Sequence, residues 1–536
     1  MKKLVALVLA LCLSLTAVSA FAVELLSAGD TYPLSTDKVI TFYAQDCLQP
    51  HEKYLDVSES PFHIGLSENT GVKIEWSFPT TGADGNTVTN AMLVEPDSLP
   101  NIMKVAIMER SSLLLDDGVI WDLTPYIQEY APAYYAFLQS NPAYDRAMKT
   151  DDGRYYAFGY FREDGGWNDS HAGLVVRKDW LDECGLEIPK TISEVENVIR
   201  VFNEKYGAQF TFNFGGRFGT ASLQGAFGAY CSGTLSDWGW YVKDGKVGMG
   251  AADPEYRNYV AWLSKLWADG MIDQDVFTLD DTSVKAKIHN DKAGISYTSM
   301  GQLSNWNNER VAEGKEPVWI GIPYPTADDG SLSSLYGNAG IGTHTTVITK
   351  TADEETMKIC LQLLDYAYTQ EGFYYWNFGQ EGVSWVKGEN GEVVTTDLVK
   401  NDPDNDVTVK YGGATWGGPA IQATQLLVEK NSAAAIEANN TWFYNYEDEE
   451  KNYAVTAGWR WPSGISFTTD ESDQLDMMNS SSLNTYVSES FTAFVTGTKD
   501  VNDDATWNAY LADLENNNLS KILEIRQAAY ERYLAR

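Results

Sequence analysis

Several tryptophans of this chain stand beside glycines, in segments without helical spacing. They are Trp167 in GGWND, Trp238 and Trp240 in SDWGWY, Trp385 in EGVSW and Trp416 in GGATWGGP. Glycine has no side chain to cover a neighbouring ring, so an indole at such a place can present its flat face to a ligand. A sugar offers an apolar C–H face to such a ring, and burying roughly 60 Å² of it at about 25 cal/mol/Å² contributes about 1.5 kcal/mol. These residues therefore predict a site that binds carbohydrate by stacking.

Carboxylates near these rings supply the complementary polar contacts. Asp46 follows the first predicted strand, Glu163 and Asp164 lie in an acidic loop, and Glu381 stands in a Gly-rich segment. An ionised carboxylate accepts hydrogen bonds from neighbouring hydroxyl groups, which suits a neutral polyol. We predict that these four carboxylates lie at the rim of the site.

Motifs for catalysis or for metal binding are not found in the sequence. It contains no GxSxG, HExxH or GxxxxGK[ST], and its five histidines lack zinc spacing. Asp402, Asp404 and Asp406 in NDPDNDVT resemble the opening of a calcium loop. However, Val407 stands where that loop needs glycine, and no glutamate follows at its twelfth position. We expect no catalytic residue, no metal and no cofactor.

The first residues indicate export. Two lysines precede an apolar run from Leu4 to Val18 that closes on Ala-Phe-Ala at 20–22, which is a small-x-small cleavage pattern. This predicts a signal peptide over residues 1–22, and an exported protein that is extracellular or associated with the cell surface. The run is too short for a membrane span, which needs about 20 apolar residues.

The charge is strongly negative, with 39 basic and 75 acidic residues and a net charge of -36. Such a surface repels nucleic acid and anionic lipid, so neither is an expected partner. Beyond Cys12, the four cysteines Cys47, Cys184, Cys231 and Cys360 are widely spaced. They fit free buried thiols, and two disulfides remain an alternative.

Strand-like runs alternate with helical ones, which predicts α/β layers with parallel sheets and at least two domains. Lys38–Tyr43 and Val72–Phe78 read as strands. Thr191–Tyr206 reads as a helix with a capping box of Thr191 and Glu194, and Leu519–Leu534 reads as the last helix. No Pro- or Ser-rich linker separates the domains, which suggests lobes joined by several short strands.

Six segments together resemble the extracellular solute-binding proteins of ABC importers, in the family 1 branch that mostly serves carbohydrates. They are DDGVIWDLTPYIQEYAPAY (Asp116–Tyr134), DDGRYYAFGY (Asp151–Tyr160), GLVVRKDWLDECGLEIPKTISEV (Gly173–Val195), DPEYRNYVAWLSKLWADGMIDQDVFT (Asp253–Thr278), YTQEGFYYWNFGQEGVSW (Tyr368–Trp385) and EIRQAAYERYLAR (Glu524–Arg536). They follow the order of the family and span about four fifths of the chain.

This resemblance implies a periplasmic-binding-protein-like fold of type II, with two discontinuous lobes and three crossings of the chain between them. The crossings would lie near Phe158–Phe161, Pro323–Thr326 and Gly379–Gly382. The N-terminal lobe would hold residues 36–158 and 326–380, and the C-terminal lobe 159–325 and 381–536. Tyr160 and Tyr324 lie at these crossings and join the predicted ligand-binding residues.

The resemblance implies a non-enzymatic protein that captures a neutral oligosaccharide between its lobes and delivers it to an ABC permease. We expect a monomer whose partners are that glycan and the transmembrane subunits of the permease. Two alternatives stay open on the sequence. One is an oligopeptide-binding protein of an ABC importer, and the other is a secreted carbohydrate-active enzyme.

Overall fold

The computed structural model describes residues 25–45, 59–80, 84–163, 172–212, 221–230, 239–331, 341–342, 344–389, 391–402, 410–412, 418–425, 431–443 and 461–536. Within these ranges no helix is both long and apolar enough to cross a membrane.

Fourteen strands form the sheets in the described part of the chain. They are Val39–Ala44 (β1), Lys73–Ser77 (β2), Ile102–Val105 (β3), Tyr160–Arg162 (β4), Ala172–Arg177 (β5), Gln209–Thr211 (β6), Trp240–Lys243 (β7), Lys246–Met249 (β8), Ala293–Ser299 (β9), Trp319–Gly321 (β10), Thr345–Ile348 (β11), Trp385–Lys387 (β12), Val393–Thr395 (β13) and Ala420–Gln422 (β14).

The α-helices of the same ranges surround these sheets. They are Pro61–Thr70 (α1), Gly85–Leu93 (α2), Ser111–Asp116 (α3), Ile127–Tyr130 (α4), Pro132–Ser140 (α5), Pro142–Ala147 (α6), Lys178–Cys184 (α7), Ile192–Tyr206 (α8), Ala221–Gln224 (α9), Pro254–Ala268 (α10), Asp281–His289 (α11), Met300–Ala312 (α12), Glu354–Asp365 (α13), Gln370–Phe378 (α14), Asp397–Lys400 (α15), Ala433–Phe443 (α16), Thr469–Met477 (α17), Ser481–Val495 (α18), Asp504–Asn516 (α19) and Leu519–Ala535 (α20).

The first sheet has the strand order β11-β3-β1-β2. Strand β1 pairs in parallel with β2 and β3, and β11 returns antiparallel to β3 at the edge. The predicted strands Lys38–Tyr43 and Val72–Phe78 correspond to β1 and β2. Their apolar residues Ile40, Phe42 and Ile74 are buried in the core on this sheet.

The second sheet has the order β10-β5-β9-β6. Strand β6 pairs in parallel with β9. Strand β5 runs antiparallel to both β9 and β10. The expectation of parallel sheets is therefore wrong for most of this sheet. Alternation of strands and helices does not specify the direction of β5, which enters this sheet after the chain leaves the first one.

Local sequence explains several helix ends. Thr191 and Glu194 form the predicted capping box at the start of α8, and Gly207 ends that helix in the left-handed conformation. Helix α20 covers Leu519–Ala535, close to the predicted Leu519–Leu534. The buried residues Ile522, Ile525 and Ala529 recur at helical spacing along α20. This stripe fixes α20 on the core of the second sheet.

The hydrophobic cores of the two sheets are separate clusters. One holds β1, β2, β3 and β11, and two others pack on the two faces of the second sheet. Residues 385–423 contribute Trp385, Val393, Ala420, Ile421 and Ala423 to the first core. This packing differs from the predicted division, which assigns the segment to the C-terminal lobe.

Three chain segments run side by side between the two sheets. Strand β4 pairs in parallel with β14, and Phe161 bridges to Ile341 on its other side. Phe158, just before β4, bridges to Thr346 in β11. Each segment connects to the first core, and the chain beyond β4 continues into β5 of the second sheet. We call these three segments the connecting strands.

Candidate functional site

The carboxyl ends of β1 and β3 lie at one edge of the first sheet. In open α/β sheets, ligands bind outside this edge. Gln45 directly follows β1, and Glu109 lies in the 3-10 turn Met108–Arg110 that follows β3. The candidate site therefore begins with the side chains of these two residues.

The side-chain amide of Gln45 is held by helix α2. Its Nε2 donates to Asn86 Oδ1 at 2.7 Å, and its Oε1 accepts from Thr89 Oγ1 at 2.8 Å. Asn86 and Thr89 stand three residues apart, so both lie on the face of α2 that meets β1. Both polar atoms of this amide are thus hydrogen-bonded within the protein, and the Gln45 side chain is buried.

Five residues join the two sheets on the same side of the molecule. We call Glu109, Trp240, Trp461, Phe467 and Arg526 the cross-lobe cluster. The Arg526 guanidinium lies 4.4 Å from the ring centroid of Trp240, 5.0 Å from that of Trp461 and 5.3 Å from that of Phe467. These distances are within the range of cation–π attraction.

Glu109 is the member of the cluster that comes from the first core. Its Oε1 accepts from Arg526 Nη1 at 3.0 Å and from Trp461 Nε1 at 3.2 Å. Its backbone carbonyl accepts from the amide of Phe467 at 2.9 Å. The Arg526 side chain is 11% exposed and that of Glu109 is 42% exposed. The carboxylate can therefore still be reached by a ligand, whereas the guanidinium is mostly covered.

The elements that carry the rings explain their positions. Trp240 opens the hairpin β7–β8, in which it pairs with Met249. Phe467 is buried in the core of the second sheet, and Trp461 packs at its border. Arg526 follows Ile525 on α20, so burial of the apolar stripe points the guanidinium towards the rings. We call the rings of Trp240 and Trp461 the indole platform. Their positions thus follow from how α20 and the hairpin pack.

Glu163 stands at the end of β4, on the connecting strands. Its amide donates to the Gln422 carbonyl at 3.0 Å, and its Oε2 accepts from the Thr424 amide at 3.0 Å. The predicted rim carboxylate therefore ties two connecting strands together. Its predicted contact with a ligand stays a prediction.

Tyr160 is also on the connecting strands, but its ring is mostly covered. The Lys104 ammonium lies 5.9 Å from the ring centroid. A Cβ atom on Gly342 would lie 2.8 Å from Cδ1 of the ring, so only glycine lets the strand at 341–342 approach this closely. The ring of Tyr160 therefore supports the connecting strands.

A buried carboxylate lies beneath the connecting strands. Asp365 is 4% exposed, and its Oδ1 accepts from the Tyr134 amide at 2.7 Å near the start of α5. Burial, which disfavours the charged form, raises the pKa of Asp365 to about 7. The Tyr134 hydroxyl donates to the Ala157 carbonyl at 3.0 Å and accepts from the Gly159 amide at 3.1 Å. Through Tyr134, Asp365 is therefore linked by hydrogen bonds to the segment that leads into β4.

Two predicted ligand-binding residues are placed in the core. Tyr324 is 1% exposed, and its hydroxyl donates to the Ala172 carbonyl at 2.6 Å. Trp385 is 3% exposed, stacks on Tyr374 at 5.1 Å and donates from Nε1 to the Gly379 carbonyl. Their rings are covered by protein, so we remove both from the candidate site.

The other predictions have different outcomes. Trp240 belongs to the cross-lobe cluster, whereas Glu381 is exposed and bridges to Trp385 on a hairpin of the first core. Five predicted residues lie outside the described residues, and these are Asp46, Asp164, Trp167, Trp238 and Trp416.

Gln45, Glu109 and Arg526 are site residues that sequence reasoning did not select. Glu109 and Arg526 are 417 positions apart, so no local pattern relates them. Gln45 and Glu109 each follow the end of a strand, and that position is the signal that could have found them. Trp461 stands in a loop beside Pro462, a pattern like that of the tryptophans selected from the sequence.

The described residues hold no group of three or more His, Cys, Asp or Glu side chains arranged to bind a metal ion. Asp402 lies within the described residues, where its Oδ2 accepts from Lys410 Nζ at 2.6 Å and from the Tyr411 hydroxyl at 2.9 Å. Asp404 and Asp406, the other acids of the calcium-like segment, lie outside the described residues.

Comparison with known proteins gives a family match over most of the chain. The model of the family described as bacterial extracellular solute-binding protein matches residues 66–373. The fructooligosaccharide ABC transporter substrate-binding protein FusA of Streptococcus pneumoniae serotype 4 is 23% identical over 528 residues, covering 95% of this chain and 93% of that protein. The polygalacturonan/rhamnogalacturonan-binding protein YtcQ of Bacillus subtilis is 25% identical over 414 residues, covering 72% of this chain and 76% of that protein.

Solved structures share the architecture. The alginate-binding protein AlgQ2 without calcium ion superposes with a TM-score of 0.74 at 22% identity, covering 93% of this chain and 99% of that chain. FusA in complex with kestose superposes with a TM-score of 0.71 at 21% identity, covering 93% of this chain and 100% of that chain. The predicted two-lobed fold of type II is thereby confirmed.

Proposed function

This chain belongs to the bacterial extracellular solute-binding protein family, and we propose that it is the oligosaccharide-binding component of an ABC importer. The relatives named above are similar over most of their length and bear names that refer to fructooligosaccharides and to polygalacturonan and rhamnogalacturonan. We propose a neutral oligosaccharide as the ligand, because the cation nearest to the indole platform is already paired with Glu109.

One observation carries this proposal. Two indole rings of the second sheet, Trp240 and Trp461, lie next to a half-exposed carboxylate at the carboxyl end of β3. Flat rings match the apolar face of a pyranose or furanose, and Glu109 Oε2 can accept from its hydroxyls. A ligand at this point contacts both lobes, so its binding favours the form in which the lobes are shut.

The division of the chain into lobes follows from the cores. We propose that the first lobe holds residues 25–161 and 341–423, and the second 172–327 and 431–536. The third crossing would then follow β14, because Trp385, Val393, Ala420, Ile421 and Ala423 pack in the first core. We place the hinge at the connecting strands, because they form the ends of the segments assigned to the first lobe.

The transport role implies further properties. We propose that the protein is exported, acts outside the cell as a monomer, and releases its glycan unchanged to the transmembrane subunits of a permease. Carriers of this kind bind without altering covalent bonds, so no catalytic residue, metal or cofactor is required.

A ligand screen tests the proposal. The mature protein, residues 23–536, is heated with and without oligosaccharides of different linkage, and with peptides as the comparison class. An oligosaccharide at about 100 times its Kd should stabilise the folded form by about 2.7 kcal/mol, which raises the melting temperature. The ligand should be recovered intact by mass analysis. Stabilisation by peptides alone, or cleavage of the glycan, would contradict the proposal.

A pair of substitutions locates the site. Trp461→Ala should abolish most of the ligand-induced rise in melting temperature. Trp262→Ala is the matched control in the same lobe, because its ring packs on Phe227 and its Nε1 donates to Glu196. The control should lower the melting temperature of the free protein while leaving the ligand-induced rise unchanged. An unchanged rise in Trp461→Ala would place the ligand elsewhere.

A further inference from the structure

The Glu109–Arg526 ion pair connects two separately packed bodies. Ile107 and Met108, immediately before Glu109, are buried in the first core. Ile525, immediately before Arg526, is buried in the core of the second sheet. Opening of the lobes on this side would therefore separate these two side chains, because each backbone is held in its own core. At the C-terminal end of α20, Arg532 and Arg536 also pair with Asp151 of the first lobe, so Arg526 is one of three arginines in or directly after this helix that reach across.

The arginine of the pair is mostly covered, whereas the Glu109 carboxylate is half-exposed. The guanidinium is covered by the rings of Trp240, Trp461 and Phe467, with 11% of the Arg526 side chain exposed. Ion pairs with little solvent around them are screened less by salt than exposed pairs. In addition, Trp461 Nε1 donates to the same Glu109 oxygen as Arg526. Glu109 is thus fixed by two donors from the opposite lobe.

We propose that Glu109 and Arg526 form an interlobe latch that keeps a fraction of ligand-free molecules closed and orients Glu109 and the two indoles for the ligand. This inference rests on the proposed function for its ligand, and Arg526 is a positioning residue in it. The apparent affinity of a protein for its ligand is proportional to the fraction of molecules that are already in the binding-competent form. Opening the latch should therefore weaken ligand binding and speed ligand release.

A double-mutant cycle tests the coupling. Glu109→Gln and Arg526→Gln should each raise the Kd for the oligosaccharide about tenfold, which is about 1.4 kcal/mol. If the residues act as one latch, the double variant should also lose about tenfold, whereas independent residues would lose about a hundredfold. Arg526→Lys keeps the charge and should recover part of the affinity. A hundredfold loss in the double variant, or no loss in the single variants, would overturn the proposal.

A control on the same helix separates the latch from a general charge effect. Lys521 pairs with Glu524 at 3.1 Å on the surface of α20, within the second lobe. Lys521→Gln removes the same charge from the same helix and should leave the Kd unchanged. An equal loss of affinity in this control would show that the net charge of the helix is responsible, which would overturn the proposal.

Scattering of the ligand-free protein gives a readout that needs no ligand. The radius of gyration from small-angle X-ray scattering should be larger for Glu109→Gln and Arg526→Gln than for wild type. Because a covered ion pair is screened little by salt, this difference between wild type and variants should persist at high salt. If the wild type bound no oligosaccharide, the proposed function would fail while this measurement still decided the latch. Identical radii in all proteins at all salt concentrations would overturn the latch.

Discussion

Asp365 should make the stability of this protein fall as the pH rises towards neutrality. Its pKa is 3.8 in an unfolded chain and about 7 in the folded protein, because burial disfavours the carboxylate. Between these values the folded protein holds a proton that the unfolded chain has released, so stability decreases with pH. At about 1.36 kcal/mol for each pH unit, the whole interval corresponds to about 4 kcal/mol, and the part above pH 5 to about 3 kcal/mol.

The substitution Asp365→Asn removes this titration and keeps an oxygen that can accept from the Tyr134 amide. The variant should lose about 3 kcal/mol less stability than wild type between pH 5 and pH 8. Urea unfolding followed by tryptophan fluorescence at several pH values measures this difference. Asp253, whose pKa burial raises to about 6, titrates with the same sign and should leave a smaller slope in the variant.

A control and a refuting result complete this test. Asp503 caps α19 and accepts hydrogen bonds from the Thr506 hydroxyl and amide, which together hold the pKa of its exposed carboxyl below the usual value. Asp503→Asn should therefore leave the slope between pH 5 and pH 8 unchanged. If Asp365→Asn lost as much stability over this interval as wild type does, the raised pKa of Asp365 would be refuted.

Three further substitutions test the packing. Arg536→Ala should destabilise the protein by about 2–4 kcal/mol in urea unfolding, because the buried guanidinium pairs with Asp151 at 2.7 Å. A stability within about 0.5 kcal/mol of wild type would contradict this. Gly173→Ala should destabilise the protein, since the new Cβ would lie 2.5 Å from Nε1 of Trp442. Gly301→Ala should be neutral or should stabilise the protein by up to about 1 kcal/mol, because the nearest neighbour of its Cβ would be 4.0 Å away. Equal melting temperatures for these two variants would contradict the packing at Gly173.

Features that depend on short stretches of chain could be predicted. The capping box of Thr191 and Glu194, the strand at Lys38–Tyr43 and the last helix each depend on residues within a few turns of one another. The order of six family-like segments was enough to predict the two-lobed fold, since such an order is shared across the family even at low identity.

The sequence by itself therefore determined the periodic elements and the family. Only the tertiary structure decided which of the predicted rings are covered by the core. Trp385 and Trp240 both stand near glycines, yet Trp385 stacks on Tyr374 in the core whereas Trp240 covers a guanidinium. The physical reason is that ring exposure depends on what packs above the ring, and those partners come from distant parts of the chain. Glu109 and Arg526 meet because two cores place them there, and no spacing in the sequence encodes that contact.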